Sequence, residues 1–108
     1  MPKYLWQVSY SQQAVSGLLA EGGTSRRDTI AKLVQEQGGS LEAFYFAFGD
    51  TDAFVIATLP DDATAAAVSL TVGAAGTGAV RTIRLLDPED IDDAAKKTIG
   101  YRAPGDVG

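Results

Sequence analysis

The segment with the clearest capacity for chemistry is residues 22–27 (GGTSRR), in which Arg26 and Arg27 fall in the first turn of a predicted helix. Backbone amides at a helix N-terminus attract anions, and a guanidinium adds paired donors for a carboxylate or phosphate. The run lacks the Gly-Lys-Ser/Thr spacing of a P-loop. Both arginines are therefore candidate ligand-binding residues. The alternative is that they only pair with nearby acids such as Glu21 or Asp28.

Aromatic and basic side chains on the predicted strands form a second group of candidates. Tyr10, Tyr45 and Arg81 lie on three different strands, and they suit a ligand that is aromatic or carries an acid group, because small-molecule pockets are mostly apolar with a few polar groups. Arg81 and Arg84 point to opposite faces of one strand, where a charge needs a partner or a ligand. The alternative for the aromatic residues is ordinary core or interface packing.

Two carboxylates flank the predicted hairpin turn, Asp50 and Asp52. Such a pair can hold a hard cation or act as a base. Turn chemistry is sufficient to explain Asp50, whereas an aspartate that opens a strand is less expected. Asp52 is therefore a candidate catalytic residue. Tyr10, whose phenol can also transfer a proton, is the other candidate.

The composition excludes several classes of active site. The chain of 108 residues contains no cysteine and no histidine, which removes disulfides, thiol nucleophiles, a Ser-His-Asp triad and the commonest transition-metal ligands. The sequence predicts no cofactor and no metal site.

Charge and hydropathy give expectations about partners and location. Nine basic residues stand against fourteen acidic ones, for a net charge of −5, which argues against nucleic-acid binding because phosphate must be neutralised by Lys and Arg. No run of residues approaches the roughly 20 apolar positions needed to span a bilayer, and residues 1–6 lack the apolar region of a signal peptide. We expect no membrane partner and a cytoplasmic location.

Hydrophobic periodicity predicts the order of the elements. Strands are expected at 3–10, 40–48, 52–59 and 79–86, and helices at 61–75 and 88–97. Residues 11–37 form either one broken helix or a short helix followed by a longer one, because Gly22-Gly23 interrupts the pattern. This order predicts an α+β, ferredoxin-like βαββαβ sandwich with a short C-terminal helix. We expect a single domain, 1–108, in which 99–108 is an irregular tail.

Both faces of the predicted sheet are apolar, which indicates a homodimer. Alternation along 41–48 places Leu41, Ala43, Tyr45 and Ala47 on one face, and Glu42, Phe44, Phe46 and Phe48 on the other. Alternation along 52–59 separates Phe54 and Ile56 from Val55 and Leu59. Two helices can cover only one face of the sheet. If the other face were solvated, apolar and polar residues should alternate along each strand. We expect a second copy on the open face. The alternative is that the terminal helix and tail of the same chain cover part of it.

Three stretches of the chain resemble the GYD-domain family of small bacterial proteins: 17–28 (GLLAEGGTSRRD), 38–70 and 85–105. The resemblance implies a dimeric α/β barrel, in which two ferredoxin-like sheets pack face to face, and a family without an assigned activity. Where the family signature is Gly-Tyr-Asp, this chain has residues 49–52 (GDTD), so the resemblance carries over Gly49 and Asp52 but no tyrosine. The wider barrel group includes cofactor-independent monooxygenases, isomerases and small-molecule binders.

Three functions follow as expectations. The first is a homodimeric protein that binds a small anionic or aromatic metabolite, with Arg26 or Arg27 on the acid group and Tyr10 on the ring. The second is a cofactor-independent monooxygenase- or isomerase-like enzyme, with Asp52 or Tyr10 as base and an arginine as electrostatic stabiliser. The third is a purely structural assembly module.

Overall fold

A computed structural model describes residues 1–106 of the chain. Its elements, in order, are β1 (Lys3–Tyr10), α1 (Gln12–Glu21), α2 (Gly23–Glu36), β2 (Ser40–Phe46), β3 (Ala53–Thr58), α3 (Asp62–Ala74), β4 (Gly78–Leu85) and α4 (Pro88–Ala95). The strands form one antiparallel sheet in the order β2-β3-β1-β4. The predicted ferredoxin-like α+β fold is confirmed.

The core lies between the sheet and the helices. Alternate residues of β1 face this core, because Tyr4, Trp6 and Val8 are all buried. The rest of the core comes from β3 and the residue that follows it, with one residue each from α2 and α3: Ala53, Val55, Ala57, Leu59, Val34 and Ala65. Burial of each large apolar side chain contributes roughly 1.5–3 kcal/mol. Since α2 packs on β2 and α3 packs on β4, the two helices sit over opposite edges of the sheet.

The opposite side of the sheet carries a second apolar surface, which we call the open face (Leu5, Tyr45, Phe54, Ile56 and Ile83). The strand registers place Leu5 between Ile56 on one neighbouring strand and Ile83 on the other. Tyr45 and Phe54 pair in the same way between β2 and β3. The sequence predicted that this side would be apolar, and apolar side chains are present on it in all four strands.

The prediction for β2 was wrong at one end. The register of β2 against β3 shifts between Leu41 and Ala43, which is a β-bulge. Leu41 pairs with Ala57. Both Leu41 and Phe44 pack on the core. Strict alternation had grouped Leu41 with Ala43 and Tyr45. A bulge adds one residue to a strand, so it moves every earlier side chain to the other face.

Gly22 decides between the two helix alternatives, because it separates α1 from α2. Its φ of 86° is a left-handed conformation that favours glycine. The Gly22 amide donates to the carbonyl of Leu18 at 2.8 Å and so ends α1. The Gly22 carbonyl accepts from the amide of Arg26 at 3.3 Å and so begins α2. A single glycine therefore fixes where Arg26 falls relative to the sheet.

Beyond β4 the chain runs away from the body of the fold. The helix α4 makes at most slight contact with the other elements, and every residue from 86 to 106 is exposed; we call residues 86–106 the C-terminal arm. The tail expected at 99–108 contains no helix or strand as far as Asp106, and residues 107–108 lie outside the described part. No helix within residues 1–106 has both the length and the hydropathy to cross a membrane.

Candidate functional site

A cavity lies over the middle of the sheet, in the gap between α2 and α3. Valine side chains from the strands and α3, with Ile30 and Leu33 from α2, form most of its wall, and its surface is almost entirely apolar. The lining residues that carry polar groups are Trp6, Tyr10, Arg26 and Ser69. Its volume is about 40 Å³, which is room for roughly three water molecules. Such a space accepts the narrow apolar end of a small molecule.

Trp6 is one of the residues that line this cavity, and its indole N–H is an unused hydrogen-bond donor. The side chain is 4% exposed, and its Nε1 has no hydrogen-bond partner among the described residues. A buried donor without a partner costs about 1–3 kcal/mol, and buried polar groups without partners are uncommon in folded proteins. An acceptor atom inside the cavity, from a ligand or a water, would remove this cost.

Arg26 supplies the charge at the cavity wall. It lies in the first turn of α2, is half-buried, and makes no ion pair within the described residues. A cation in the first turn opposes the helix dipole, so the position is unfavourable unless an anion is nearby. The α2 N-terminus is also held close to the sheet: a Cβ at Gly23 would lie 2.9 Å from the ring of Phe46. This close packing places Arg26 in the cavity wall.

A second, more polar pocket adjoins the first, and Tyr10 and Arg26 line both. Its other walls come from α1 and the loop before β4, with Leu18, Glu21 and Thr77 among them. Its volume is about 220 Å³. The two spaces together provide an apolar inner end and a wider outer end, and Arg26 and Tyr10 are the residues that the two walls share.

Asp52 lies near this site without lining it. Its Oδ2 accepts a hydrogen bond from the backbone amide of Tyr10 at 2.8 Å, and its own amide donates to the carbonyl of Val8 at 2.8 Å. It is half-buried and belongs to neither pocket wall. The carboxylate therefore extends the β1–β3 ladder and positions Tyr10.

The other candidate ligand-binding residues lie elsewhere. Arg27 is exposed and pairs with the adjacent Asp28 at 3.2 Å. Tyr45 is 69% exposed on the open face. Arg81 is exposed and, with Asp50, lines a polar pocket on the open-face side of the sheet. The fold thus brings Tyr10 and Arg26 together and separates them from Arg27, Tyr45 and Arg81.

Sequence reasoning missed two features of the helix side. Trp6 was not among the candidates, although its spacing of four residues from Tyr10 on one strand was the available signal. Asp62 was not a candidate either, yet it accepts a hydrogen bond from the Tyr4 hydroxyl and pairs with Arg84 at 3.4 Å. Burial, followed by the hydrogen bond to Asp62, raises the pKa of Tyr4 above its ordinary value.

The fold and the site define an α+β, ferredoxin-like domain with an apolar pocket between its sheet and its helices. The chain belongs to the GYD domain family, whose model matches residues 4–95 of the 108, and this confirms the resemblance found in the sequence. No curated protein and no solved structure matches the chain. The matched region contains Trp6, Tyr10 and Arg26, so both pockets lie within the family domain.

Proposed function

We propose that this protein is a homodimer that binds a small molecule with an aromatic or apolar body and an acid group. The observation that carries the proposal is an apolar cavity that both Trp6 and Arg26 line. Among the described residues, the Nε1 of Trp6 has no hydrogen-bond partner and Arg26 makes no ion pair. The acid group binds Arg26, the ring packs against Tyr10, and a second acceptor on the ligand takes the Trp6 N–H.

The dimensions of the two pockets set the size of this ligand. Pockets for drug-sized molecules run to roughly 300–1,000 Å³, whereas the inner and outer spaces here are about 40 and 220 Å³. The ligand is therefore of the size of a single ring with a short side chain. Glu21 in the wall of the outer pocket disfavours a second negative charge at that end.

The homodimer is proposed to form through the open face. Leu5, Ile56 and Ile83 lie side by side across neighbouring strands of that face, and a contiguous apolar patch on a small domain indicates an interaction site. A two-fold pair of sheets buries the same patch on both copies. We propose the bacterial cytoplasm as the location, on the sequence argument alone.

A cofactor-independent monooxygenase- or isomerase-like enzyme is the second candidate. The observation that favours it is that Tyr10, a potential acid or base, lines both pockets beside Arg26. Asp52 supports it less, since its carboxylate is engaged by the Tyr10 amide. A purely structural assembly module would need neither the cavity nor the unpaired guanidinium.

Trp6 provides the test, because it is the single tryptophan of the chain and lines the cavity. Phenylacetate, and 2-phenylethanol as an uncharged probe of the same shape, are titrated while indole fluorescence is recorded. Arg26→Gln should weaken phenylacetate binding by at least about tenfold, since a hydrogen bond to a charged group contributes about 1.5–3 kcal/mol. Arg27→Gln, one residue away and exposed, is the matched control and should leave the affinity unchanged.

Native mass spectrometry of the freshly purified protein completes the test. A dimer that releases an acidic small molecule on denaturation would support the proposal and identify the ligand class. Equal losses of phenylacetate affinity in the Arg26 and Arg27 variants would contradict the assigned site. Absence both of a bound molecule and of any fluorescence response would leave the assembly module as the better account.

A further inference from the structure

The C-terminal arm, residues 86–106, is the largest part of the described chain that the fold leaves without packing. It carries four large apolar side chains that are more than half exposed: Leu86, Ile91, Ile99 and Tyr101, at 61%, 56%, 77% and 77%. Monomeric proteins rarely present apolar side chains in one continuous extended segment without a partner. These residues need a surface that the body of the same chain does not supply.

The extended shape of the molecule shows how much surface is left for a partner to cover. The accessible surface is 7397 Å², which is about 1,700 Å² more than a compact monomer of this mass exposes. The radius of gyration is 17.8 Å, against about 13 Å for a compact chain of this length. A standard protein interface removes about 800 Å² from each partner. The surplus is therefore large enough to be buried in a stable dimer.

The helix α4 gives an independent argument that the arm is bound. It has only eight residues, and helices shorter than about 12–15 residues are marginal in water without packing. A hydrogen bond from the Asp87 amide to the side chain of Asp90, at 2.9 Å, closes its first turn. Ile91 and Ala95 share one side of the helix, and acidic residues occupy the other. This amphipathic pattern is typical of a helix that lies on a surface.

We propose that the arm packs on a second copy of this chain, in an exchange that both copies make. Ile83 on β4 belongs to the open face, and the arm begins at Leu86, directly after this edge strand. A copy seated on the open face is therefore the partner that lies next to the start of the arm. A two-fold axis uses each arm contact twice. The inference rests on the open-face dimer proposed above, but not on the ligand site.

The arm carries its own cleavage sites for the test, because trypsin cuts after Lys96, Lys97 and Arg102. The full-length protein is digested at concentrations from dilute to concentrated, and intact mass spectrometry follows the loss of the arm. Light scattering gives the oligomeric state of the same samples. When the dimer forms, cleavage at these sites should slow by about tenfold or more, because proteolysis follows the population of the undocked arm.

A matched pair of variants separates docking from helix stability. Ile91→Ser removes the apolar contact of α4 and should restore fast cleavage at concentrations where the wild-type arm is protected. Asp92→Ser changes the neighbouring position on the acidic side and should leave the protection intact. Both substitutions lie upstream of the cleavage sites, so the protease meets the same local sequence.

Each remaining outcome overturns the inference. A dimer whose arm is cut as fast as that of Ile91→Ser would retain the open-face dimer and refute the docked arm. Protection that does not depend on concentration would show the arm folded on its own chain. A monomer at every concentration would refute both the arm exchange and the homodimer, while the fluorescence titration would still report on the ligand site.

Discussion

The carboxylate of Asp52 accepts a hydrogen bond from the backbone amide of Tyr10, with 2.8 Å between Oδ2 and N. The paired region of β3 begins at Ala53, opposite Val8, so on this side of β1 the Tyr10 amide lies beyond the last backbone pair of the β1–β3 ladder. The Asp52 side chain takes the place of the next carbonyl. This contact fixes the end of β1 and, with it, the phenol that lines both pockets.

The loss of this contact should lower stability. A hydrogen bond to a charged group contributes about 1.5–3 kcal/mol, and its removal leaves the amide without a partner. Asp52→Ala should therefore reduce the free energy of unfolding by about 1–3 kcal/mol in urea denaturation. Asp52→Asn keeps an acceptor oxygen and should lose less than half of that. Equal losses in the two variants would show that the carboxylate does not hold the amide.

Gly39 should not tolerate a side chain. A Cβ at Gly39 would lie 2.0 Å from the carbonyl oxygen of Thr58, and a backbone atom of a paired strand has little room to move. Gly39→Ala should cost about 1–3 kcal/mol in the free energy of unfolding. Gly17→Ala is the control, because nothing lies within 4 Å of its Cβ. That substitution, within α1, should instead stabilise the protein by up to about 1 kcal/mol.

Tyr4 should make the protein sensitive to alkaline pH. Because its pKa is raised in the folded state, the folded protein holds the phenolic proton more tightly than the unfolded chain does. The resulting stabilisation is complete below the unfolded pKa, near 10, and is lost as the pH rises through the higher folded value. Tyr4→Phe should have a smaller decrease in melting temperature between neutral pH and alkaline pH. A decrease as large as in the wild type would assign the alkaline sensitivity to other groups.

The open face can be tested without disturbing the core. Ile56 lies on β3, on the side of the sheet opposite the buried Val55 and Ala57. A charged side chain at the centre of the open face would be desolvated in a face-to-face dimer, at a cost of several kcal/mol. Ile56→Lys should convert the proposed dimer to a monomer in light scattering while circular dichroism stays unchanged. Ala67→Lys, at an exposed position of α3, should leave the oligomer intact.

Local patterns in the sequence were sufficient to predict the elements. Hydrophobic periodicity predicted a strand at 3–10, and in β1 the buried Tyr4, Trp6 and Val8 alternate with less buried neighbours. The cap of α1 is equally local, because the Oγ of Ser11 accepts from the Ala14 amide at 3.2 Å. These features depend on residues that are close in the chain, so a single sequence contains them. The bulge near Leu41 was not predictable in this way, because it is defined by the register of β2 against β3.

The residue types of the candidate site were determined by the sequence alone: no cysteine, no histidine, and a double arginine after two glycines. Only the tertiary structure decided that Arg26 reaches a cavity while Arg27 pairs with Asp28 in solvent. Consecutive helical residues point about 100° apart, so which one faces the sheet depends on how α2 is rotated. Gly22 sets where α2 begins, which is a local property of the sequence. How α2 lies on the sheet depends on the packing of Phe46 against Gly23, which is a contact between elements that the local sequence does not contain.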